Sequence, residues 1–147
     1  RYHAPTAAGR EAARAEFFRG RYDLVVTTPQ AVHSKVDRAC FFSRVTFEYL
    51  VCDEAHFLKN SGTAAYRELS KHIRCSRRLL LTGTPVQNSV QELTTLLGFA
   101  LAGLPGVPAR LKEIGANATP EAVARLQECA APLILRRLKA DVLAELP

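Results

Sequence analysis

The sequence predicts an α/β domain in which a mainly parallel sheet is flanked by helices. Segments with the periodicity of strands alternate with segments that have the periodicity of helices, as in parallel sheets joined by helical crossovers. Two apolar runs, residues 47–52 and 78–81, each end in a polar cluster, as strands do at the edge of a sheet. At 147 residues, of which 48% are hydrophobic, the chain is long enough to build one core.

The amino-terminal region is predicted to form a helix followed by a strand. Thr6 has the side chain of a helix N-cap, apolar residues recur at helical spacing as far as Phe18, and Gly20 is a favourable stop. The apolar run 22–28 then predicts a strand that enters a Thr-Thr-Pro turn. Residues 41–47 fit neither pattern, so the sequence leaves their structure open.

The middle of the chain is predicted to form two strands joined by a helix. Residues 47–52 form a strand, of which residues 49–52 are apolar enough to be covered on both faces, and residues 78–81 form the next strand. Between them, a helix is expected to begin at Ser61 or Thr63 and to run to about Cys75, because apolar side chains recur at helical spacing.

Beyond these strands the sequence predicts two helices separated by a surface segment. Ser89 and Glu92 have the spacing of a capping box, and helical spacing continues to a stop at Gly103. Residues 103–120 are rich in Gly and Pro and are expected to form a surface excursion, after which Pro120 begins the next helix. The segments that follow from this division are residues 1–102, 103–120 and 121–147.

The polar clusters after the two strands contain residues suited to nucleotide chemistry. Asp53 and Glu54 follow the first strand, and Thr82, Gly83 and Thr84 follow the second. An Asp at the tip of a strand can hold Mg2+, and a neighbouring Glu can position or deprotonate a water molecule. Phosphoryl transfer to water requires these groups. For an isolated Asp-Glu pair, an acidic turn at the end of a sheet is the favoured interpretation, so the surrounding residues decide whether this pair belongs to a nucleotide site.

Longer stretches around these clusters resemble those of a known family. Residues 51–60 read VCDEAHFLKN, residues 79–88 read LLLTGTPVQN, and residues 133–147 read LILRRLKADVLAELP. They resemble motif II, motif III and the segment leading out of the first ATPase lobe in Swi/Snf-type chromatin-remodelling ATPases, which are superfamily-two helicase-like proteins. Within the family the chain is somewhat similar to the Fun-thirty/Etl type, although Ala55 and Phe57 stand where Gly and Arg are common.

The resemblance implies that residues 1–102 are the carboxyl-terminal part of a RecA-like, P-loop NTPase-type ATP-binding lobe. Residues 121–147 would lead toward a second RecA-like lobe of the same chain. The parent would be a nuclear, DNA-dependent ATPase that uses ATP and Mg2+ to move on double-stranded DNA against a nucleosome or another DNA-bound protein. The chain contains no GxxxxGK[ST] loop and no Met, so we expect a fragment that is inactive by itself.

The resemblance also implies roles for individual residues. Asp53 would hold Mg2+, Glu54 would activate water, and His56 would link this motif to the rest of the site. The other implied roles are coupling of nucleotide state to DNA grip by Thr82, Gly83, Thr84, Pro85, Gln87 and Asn88, DNA contact by Thr27, Thr28 and Lys59, and contact with the second lobe by Arg136, Arg137 and Lys139. A tight turn would also explain the Thr-Gly-Thr residues, and Lys59 and Asn60 can instead stabilise the loop beyond the acidic pair.

Charge and composition bear on the class of protein. The net charge of +6 suits a polyanionic partner such as nucleic acid. The four cysteines are widely spaced and form no CxxC pair, which argues against a zinc site or a disulfide framework. No apolar run approaches the roughly 20 residues of a membrane span. Two other hypotheses stay open: a DEAH-class RNA helicase, which the LKN stretch disfavours, and a non-catalytic DNA or protein docking module derived from such an ATPase.

Overall fold

The structure, a computed structural model, describes residues 6–83 and 89–137. The helices and strands, in chain order, are α1 (Ala7–Phe18), α2 (Pro29–His33), α3 (Lys35–Asp37), β1 (Thr46–Cys52), α4 (Ala64–His72), β2 (Arg74–Leu80), α5 (Val90–Ala100), α6 (Val107–Ala116) and α7 (Pro120–Ala130). A π-helical turn covers Arg38–Phe42, and 3₁₀ turns cover Ala55–Leu58 and Ala131–Leu133. None of the helices in these two ranges is long and apolar enough to cross a membrane.

The two strands form a parallel sheet flanked by helices, which confirms the predicted α/β fold class. The register places Val51 opposite Leu79 and Cys52 opposite Leu80. Leu50, Cys52 and Leu80 belong to the main core on one face, whereas Val51 and Leu79 are about half exposed on the other. Because the strands are parallel, their carboxyl ends lie at the same edge, and the two polar clusters follow at that edge.

The main core combines side chains from the helices with a group of phenylalanines. Phe41, Phe42 and Phe99 are at most 2% exposed and lie in one cluster with Leu58. The ring centroid of Phe41 is 5.0 Å from that of Phe17 on α1 and 5.1 Å from that of Phe42, in edge-to-face geometry. The region that the sequence left open, residues 41–47, therefore divides between the end of a helical turn and the start of β1.

A buried carboxylate attaches α1 to the rest of the chain. Asp37 is 2% exposed, and its Oδ1 accepts a hydrogen bond from Arg14 Nη1 at 2.8 Å. Its Oδ2 lies 3.2 Å from Arg10 Nε, one helical turn earlier on α1. A buried charge with two cationic partners is costly to leave unpaired, so this acid fixes the position of α1.

The predicted helix starts are present in the structure. A side-chain oxygen accepts a hydrogen bond from the backbone N–H three residues later at Thr6, Thr63, Ser89 and Thr119. Gly20 follows α1 with a φ of 72°, the left-handed conformation that glycine adopts without steric cost. The helix after Thr63 ends at His72 rather than near Cys75, because β2 already begins at Arg74.

The strand predicted over residues 22–28 is absent from the structure, and this prediction is wrong. The described sheet contains only β1 and β2. Val25 packs against the main core, but Tyr22, Leu24 and Val26 are 54%, 76% and 53% exposed. The apolar run supplies strand propensity, but a strand also needs a neighbour to pair its backbone groups, and β1 and β2 pair with each other.

The Gly- and Pro-rich range 103–120 is more ordered than the surface excursion that its composition predicts. Its central residues form α6, and Leu111 is buried in a second cluster with Leu97 of α5 and Leu126 of α7. Pro108 lies in the first turn of α6, where a missing backbone N–H costs no helical hydrogen bond. Gly115 packs so closely on α5 that an added Cβ would overlap Thr94 Oγ1.

Candidate functional site

The polar clusters after β1 and β2 are joined by two backbone hydrogen bonds. The N–H of Leu81 donates to the carbonyl of Cys52 at 2.9 Å, and the N–H of Ala55 donates to the carbonyl of Leu81 at 2.8 Å. Asp53 and Glu54 form the turn between Cys52 and Ala55, the two residues that are bonded to Leu81. The end of β2 therefore holds both sides of the acidic turn, as the expected sheet-edge site requires.

Glu54 occupies a backbone conformation that is unfavourable for a residue with a Cβ. Its φ is 50° and its ψ is 47°, and it is the one non-glycine residue with positive φ in the described ranges. The left-handed region costs such a residue roughly 1–2 kcal/mol. The N–H of Glu54 donates to Asp53 Oδ1 at 2.9 Å, which helps to hold this conformation. Strain that is maintained by surrounding contacts is typical of functional sites.

The side chains of the acidic turn are accessible, although the turn itself is anchored in the core. Glu54 and His56 are 64% and 53% exposed, and Glu54 Oε2 lies 3.3 Å from His56 Nδ1. Ala55 and Leu58, on either side of His56, are completely buried. The 3₁₀ turn thus fixes the backbone through its apolar residues and leaves the polar side chains exposed to solvent.

Asp53 suits a Mg2+ ion that arrives with a nucleotide. Among residues 6–83 and 89–137 there is no group of three or more His, Cys, Asp or Glu side chains that could hold a metal ion. Mg2+ is usually bound by one or two carboxylates together with water and substrate phosphates, so a dedicated protein cage is unnecessary. Asp53 provides one exposed carboxylate of this kind at the strand end.

Thr82 and Gly83 follow Leu81 directly and are exposed beside the acidic turn. A Cβ added to Gly83 would meet no atom of the described residues within 4 Å, so packing against them does not explain a glycine at this position. The other residues expected to couple nucleotide state to DNA grip lie outside the described residues: Thr84, Pro85, Gln87 and Asn88.

Thr27 and Thr28 are positioned by the start of a helix. Both are partly buried, and the carbonyl of Thr28 accepts a hydrogen bond from the N–H of Ala31 at 3.0 Å. Pro29 is the first residue of α2, and the Thr28 side chain makes no capping hydrogen bond to that helix. The two threonines thus precede a short helix, whereas the strand predicted to lead into them is absent from the described residues.

Lys59 extends from the end of the 3₁₀ turn to the first turn of α5. Its Nζ lies 3.5 Å from Glu92 Oε1, and the two side chains are 53% and 29% exposed. A polar cleft of about 300 Å³, with Ser61 and Ser89 among its lining residues, separates the loop from the helix start. The sequence predicts Glu92 only as a capping residue, because no local pattern relates it to a lysine so distant in the chain.

Asn60 stabilises the loop beyond the acidic turn, which agrees with the role expected for it. Its Oδ1 accepts a hydrogen bond from the N–H of Gly62 at 2.8 Å. Its carbonyl accepts one from Thr63 Oγ1 at 3.0 Å, immediately before α4. The loop is therefore tied to the start of the next helix.

The basic residues expected to contact a second lobe lie far along the chain from the acidic turn. Arg136 and Arg137 are exposed and follow the 3₁₀ turn of Ala131–Leu133 without regular structure. Lys139 lies outside the described residues.

The cysteine nearest to the acidic turn is not a nucleophile. Burial raises the pKa of the Cys52 thiol to about 11, although Arg78 nearby partly opposes this shift. A thiol with such a pKa is protonated at neutral pH and unreactive. Arg78 itself joins β2 to the end of α5, since its Nη1 donates to the carbonyl of Phe99 at 2.9 Å.

Three comparisons with known proteins agree. A family model described as the SNF2-related domain matches residues 2–147. The human SWI/SNF-related matrix-associated actin-dependent regulator of chromatin subfamily A containing DEAD/H box 1 is 35% identical over 137 residues, covering 86% of this chain and 13% of that protein. The ATP-dependent helicase FUN30 of Saccharomyces cerevisiae is 36% identical over 143 residues, covering 87% of this chain and 13% of that protein.

Among solved structures, the Sulfolobus solfataricus SWI2/SNF2 ATPase core in complex with dsDNA is similar, with a TM-score of 0.70 and 26% sequence identity. The similarity covers 94% of this chain and 28% of that one. The chain thus matches a small part of each of these proteins.

Proposed function

Because the chain belongs to the family of SNF2-related domains, we propose that it is the carboxyl-terminal part of the first RecA-like lobe of an ATP-dependent DNA translocase. In the natural protein, ATP hydrolysis drives movement along double-stranded DNA against a nucleosome or another DNA-bound protein in the nucleus. The observation that carries the proposal is the acidic turn, in which Asp53 and Glu54 are held at the sheet edge by Leu81. The relatives named as chromatin regulator and ATP-dependent helicase support it.

In this proposal the acidic turn performs the hydrolysis. Glu54 orients the attacking water and accepts its proton, and His56, 3.3 Å from the Glu54 carboxylate, helps to orient that carboxylate. Asp53 would hold the Mg2+ that accompanies ATP. The ion would neutralise negative charge on the phosphates during transfer. The strained backbone of Glu54 supports this assignment, because it fixes the point from which the side chain extends.

The remaining expected residues have roles around this centre in the same proposal. Thr27 and Thr28 contact the DNA backbone, since hydroxyl groups suit phosphates, which position a protein on DNA without specifying sequence. Lys59 takes the other role expected of it and stabilises the loop beyond the acidic turn, through its contact with Glu92. Thr82 and Gly83, together with residues 84–88, couple the nucleotide state to the grip on DNA. Arg136, Arg137 and Lys139 contact the second RecA-like lobe of the natural protein.

The test is ATP turnover by the natural full-length protein, measured with no nucleic acid, duplex DNA, nucleosomes or structured RNA. We expect strong stimulation by duplex DNA or nucleosomes, and a loss of about 10²–10⁴-fold in stimulated turnover for Glu54→Gln. Glu48→Gln is the matched control, because Glu48 lies earlier on β1, is 65% exposed and pairs with Arg77. This control should retain full turnover.

Two outcomes would replace the proposal. Stimulation by RNA alone, with separation of RNA strands, would favour an RNA helicase of the DEAH class. No turnover under any condition would leave a DNA or protein docking module derived from an ATPase.

A further inference from the structure

We propose that Lys59 and Glu92 form a positioning pair that sets the start of α5 relative to the acidic turn. Lys59 follows the 3₁₀ turn that carries His56, and Glu92 lies in the first turn of α5. Their charged atoms, Nζ and Oε1, are 3.5 Å apart. The inference rests on the proposed function, because it concerns how DNA binding stimulates ATP turnover at the acidic turn.

The pair and the backbone of Leu81 connect the acidic turn to the two ends of the segment between β2 and α5. The backbone of Leu81 is bonded to Cys52 and Ala55, so the segment after β2 starts next to the acidic residues. That segment ends at Ser89, whose hydroxyl accepts the N–H of Glu92 at 3.1 Å. Glu92 thus fixes the helix start through its backbone and reaches Lys59 through its side chain. Both ends of the segment containing Thr82 and Gly83 are in this way connected to residues 53–59.

The two connections differ in how easily they can change. The hydrogen bonds of Leu81 directly follow the pairing of β1 with β2, so they should persist as long as the domain is folded. The ion pair crosses a polar cleft and is partly exposed, and such pairs contribute little to stability. Its removal should therefore leave α5 packed, because Leu96 and Phe99 remain in the main core.

The far end of α5 is held independently of the pair. Arg78 on β2 donates a hydrogen bond to the carbonyl of Phe99, and its guanidinium carbon lies 4.5 Å from the centre of the Phe99 ring. Changes in the pair can consequently alter only the amino-terminal end of α5. That end adjoins the segment expected to couple nucleotide state to DNA grip, so the pair is placed to transmit small shifts between this segment and the acidic turn.

The positioning role and a simple DNA contact by Lys59 predict different effects of removing the Glu92 carboxylate. If Lys59 acts only on a phosphate, a carboxylate beside it competes with the DNA and its removal should strengthen binding. If the two residues position α5, both are needed, and exchanging their charges should preserve the effect.

The experiment uses the natural full-length protein with Lys59→Gln, Glu92→Gln and the exchanged variant Lys59→Glu/Glu92→Lys. Each single change should lower the ratio of DNA-stimulated to unstimulated turnover by about two- to fivefold, the range expected from one exposed ion pair. The DNA concentration for half-maximal stimulation should stay constant, and the exchanged variant should recover most of the ratio. Arg19→Gln removes another exposed ion pair, with Glu16 on α1, and should change none of these quantities.

Amide hydrogen exchange provides a second readout that does not depend on turnover. Both single variants should exchange faster at the first turn of α5 and in residues 59–63, and the exchanged variant should be protected again. Unchanged exchange or an unchanged turnover ratio in the single variants would overturn the proposal. So would an increase in the half-maximal DNA concentration confined to Lys59→Gln, which would assign Lys59 to a phosphate.

The outcomes also separate this inference from the proposed function. If the wild-type protein shows no DNA-stimulated turnover, the proposed function fails and the positioning role fails with it. If Glu54→Gln abolishes a DNA-stimulated turnover that the three variants leave intact, the function stands and only the positioning role is refuted.

Discussion

Replacing Gly115 with Ala should destabilise the packing of α6 on α5. A Cβ at this position would approach Thr94 Oγ1 more closely than the 3.0 Å that real Cβ atoms essentially always keep. Thr94 is 3% exposed, and its hydroxyl donates to the carbonyl of Gln91 at 3.0 Å. The hydroxyl therefore cannot move aside without losing a buried hydrogen bond.

The expected magnitude follows from two opposing effects. Alanine is favoured over glycine in a helix interior by about 1 kcal/mol. The overlap costs about 1–3 kcal/mol in either of two ways, by overpacking if the close contact stays or by loss of a hydrogen bond if the Thr94 hydroxyl is displaced. The overlap should dominate, because both α5 and Thr94 are held by surrounding packing. We expect a net loss of about 1–2 kcal/mol.

Amide hydrogen exchange of α5 and α6 in the natural full-length protein measures this loss directly. Gly115→Ala should accelerate exchange by about five- to thirtyfold, which corresponds to the expected free energy. Thr94→Ala removes the obstructing hydroxyl, so the double variant should be more protected than Gly115→Ala alone. Gly103→Ala is the control, because a Cβ there meets no atom within 4 Å. Protection of Gly115→Ala equal to or above that of the wild type would refute the reasoning.

Three further predictions concern buried or partly buried ionisable groups. Asp37→Asn should lower the free energy of unfolding by about 2–4 kcal/mol, because it leaves the two α1 arginines without their buried carboxylate. Limited proteolysis should then release α1, and an unchanged cleavage pattern would contradict this. Burial and two neighbouring cations lower the pKa of His72 from its ordinary 6.5, despite a carboxylate 3.4 Å from its Nε2. Because the folded state favours the neutral imidazole, His72 contributes to the free energy of unfolding above pH 6.5, and this contribution is lost as pH falls through the lowered pKa. When Tm is measured across pH, the decrease of Tm at acidic pH should therefore be smaller in His72→Gln than in the wild type. In native protein at neutral pH, iodoacetamide should label the exposed Cys40 and Cys129. It should spare Cys52, because the thiol is buried and its pKa of about 11 keeps it protonated. Equal labelling of the three cysteines would contradict the burial of Cys52.

Much of the local structure can be predicted from the sequence, because it depends on residues close together in the chain. Thr6, Thr63 and Ser89 cap helices by bonding to the third residue onward, a contact that any local window contains. Strand β1 and the acidic turn after it follow from an apolar run that ends in Asp53 and Glu54. The conformation of Glu54 does not follow in this way, since a positive φ at a glutamate depends on the bonds that Leu81 makes on both sides of the turn.

Errors of prediction occur where the outcome depends on distant partners. Residues 22–28 have the composition of a strand, but no described strand pairs with them. Residues 103–120 have the composition of a loop, but Leu111 and Gly115 give α6 a face that fits α5. In both cases the local signal was correct about propensity, and packing decided the structure.

The sequence by itself determined the family, the fold class and the residues of the acidic turn, because these follow from composition, spacing and short motifs. Only the tertiary structure decided which groups meet. The bond from Ala55 to Leu81 and the pair of Lys59 with Glu92 join segments that are separate in the chain. Such contacts depend on how β1, β2 and α5 are oriented by their shared core, and no local pattern of residues contains that information.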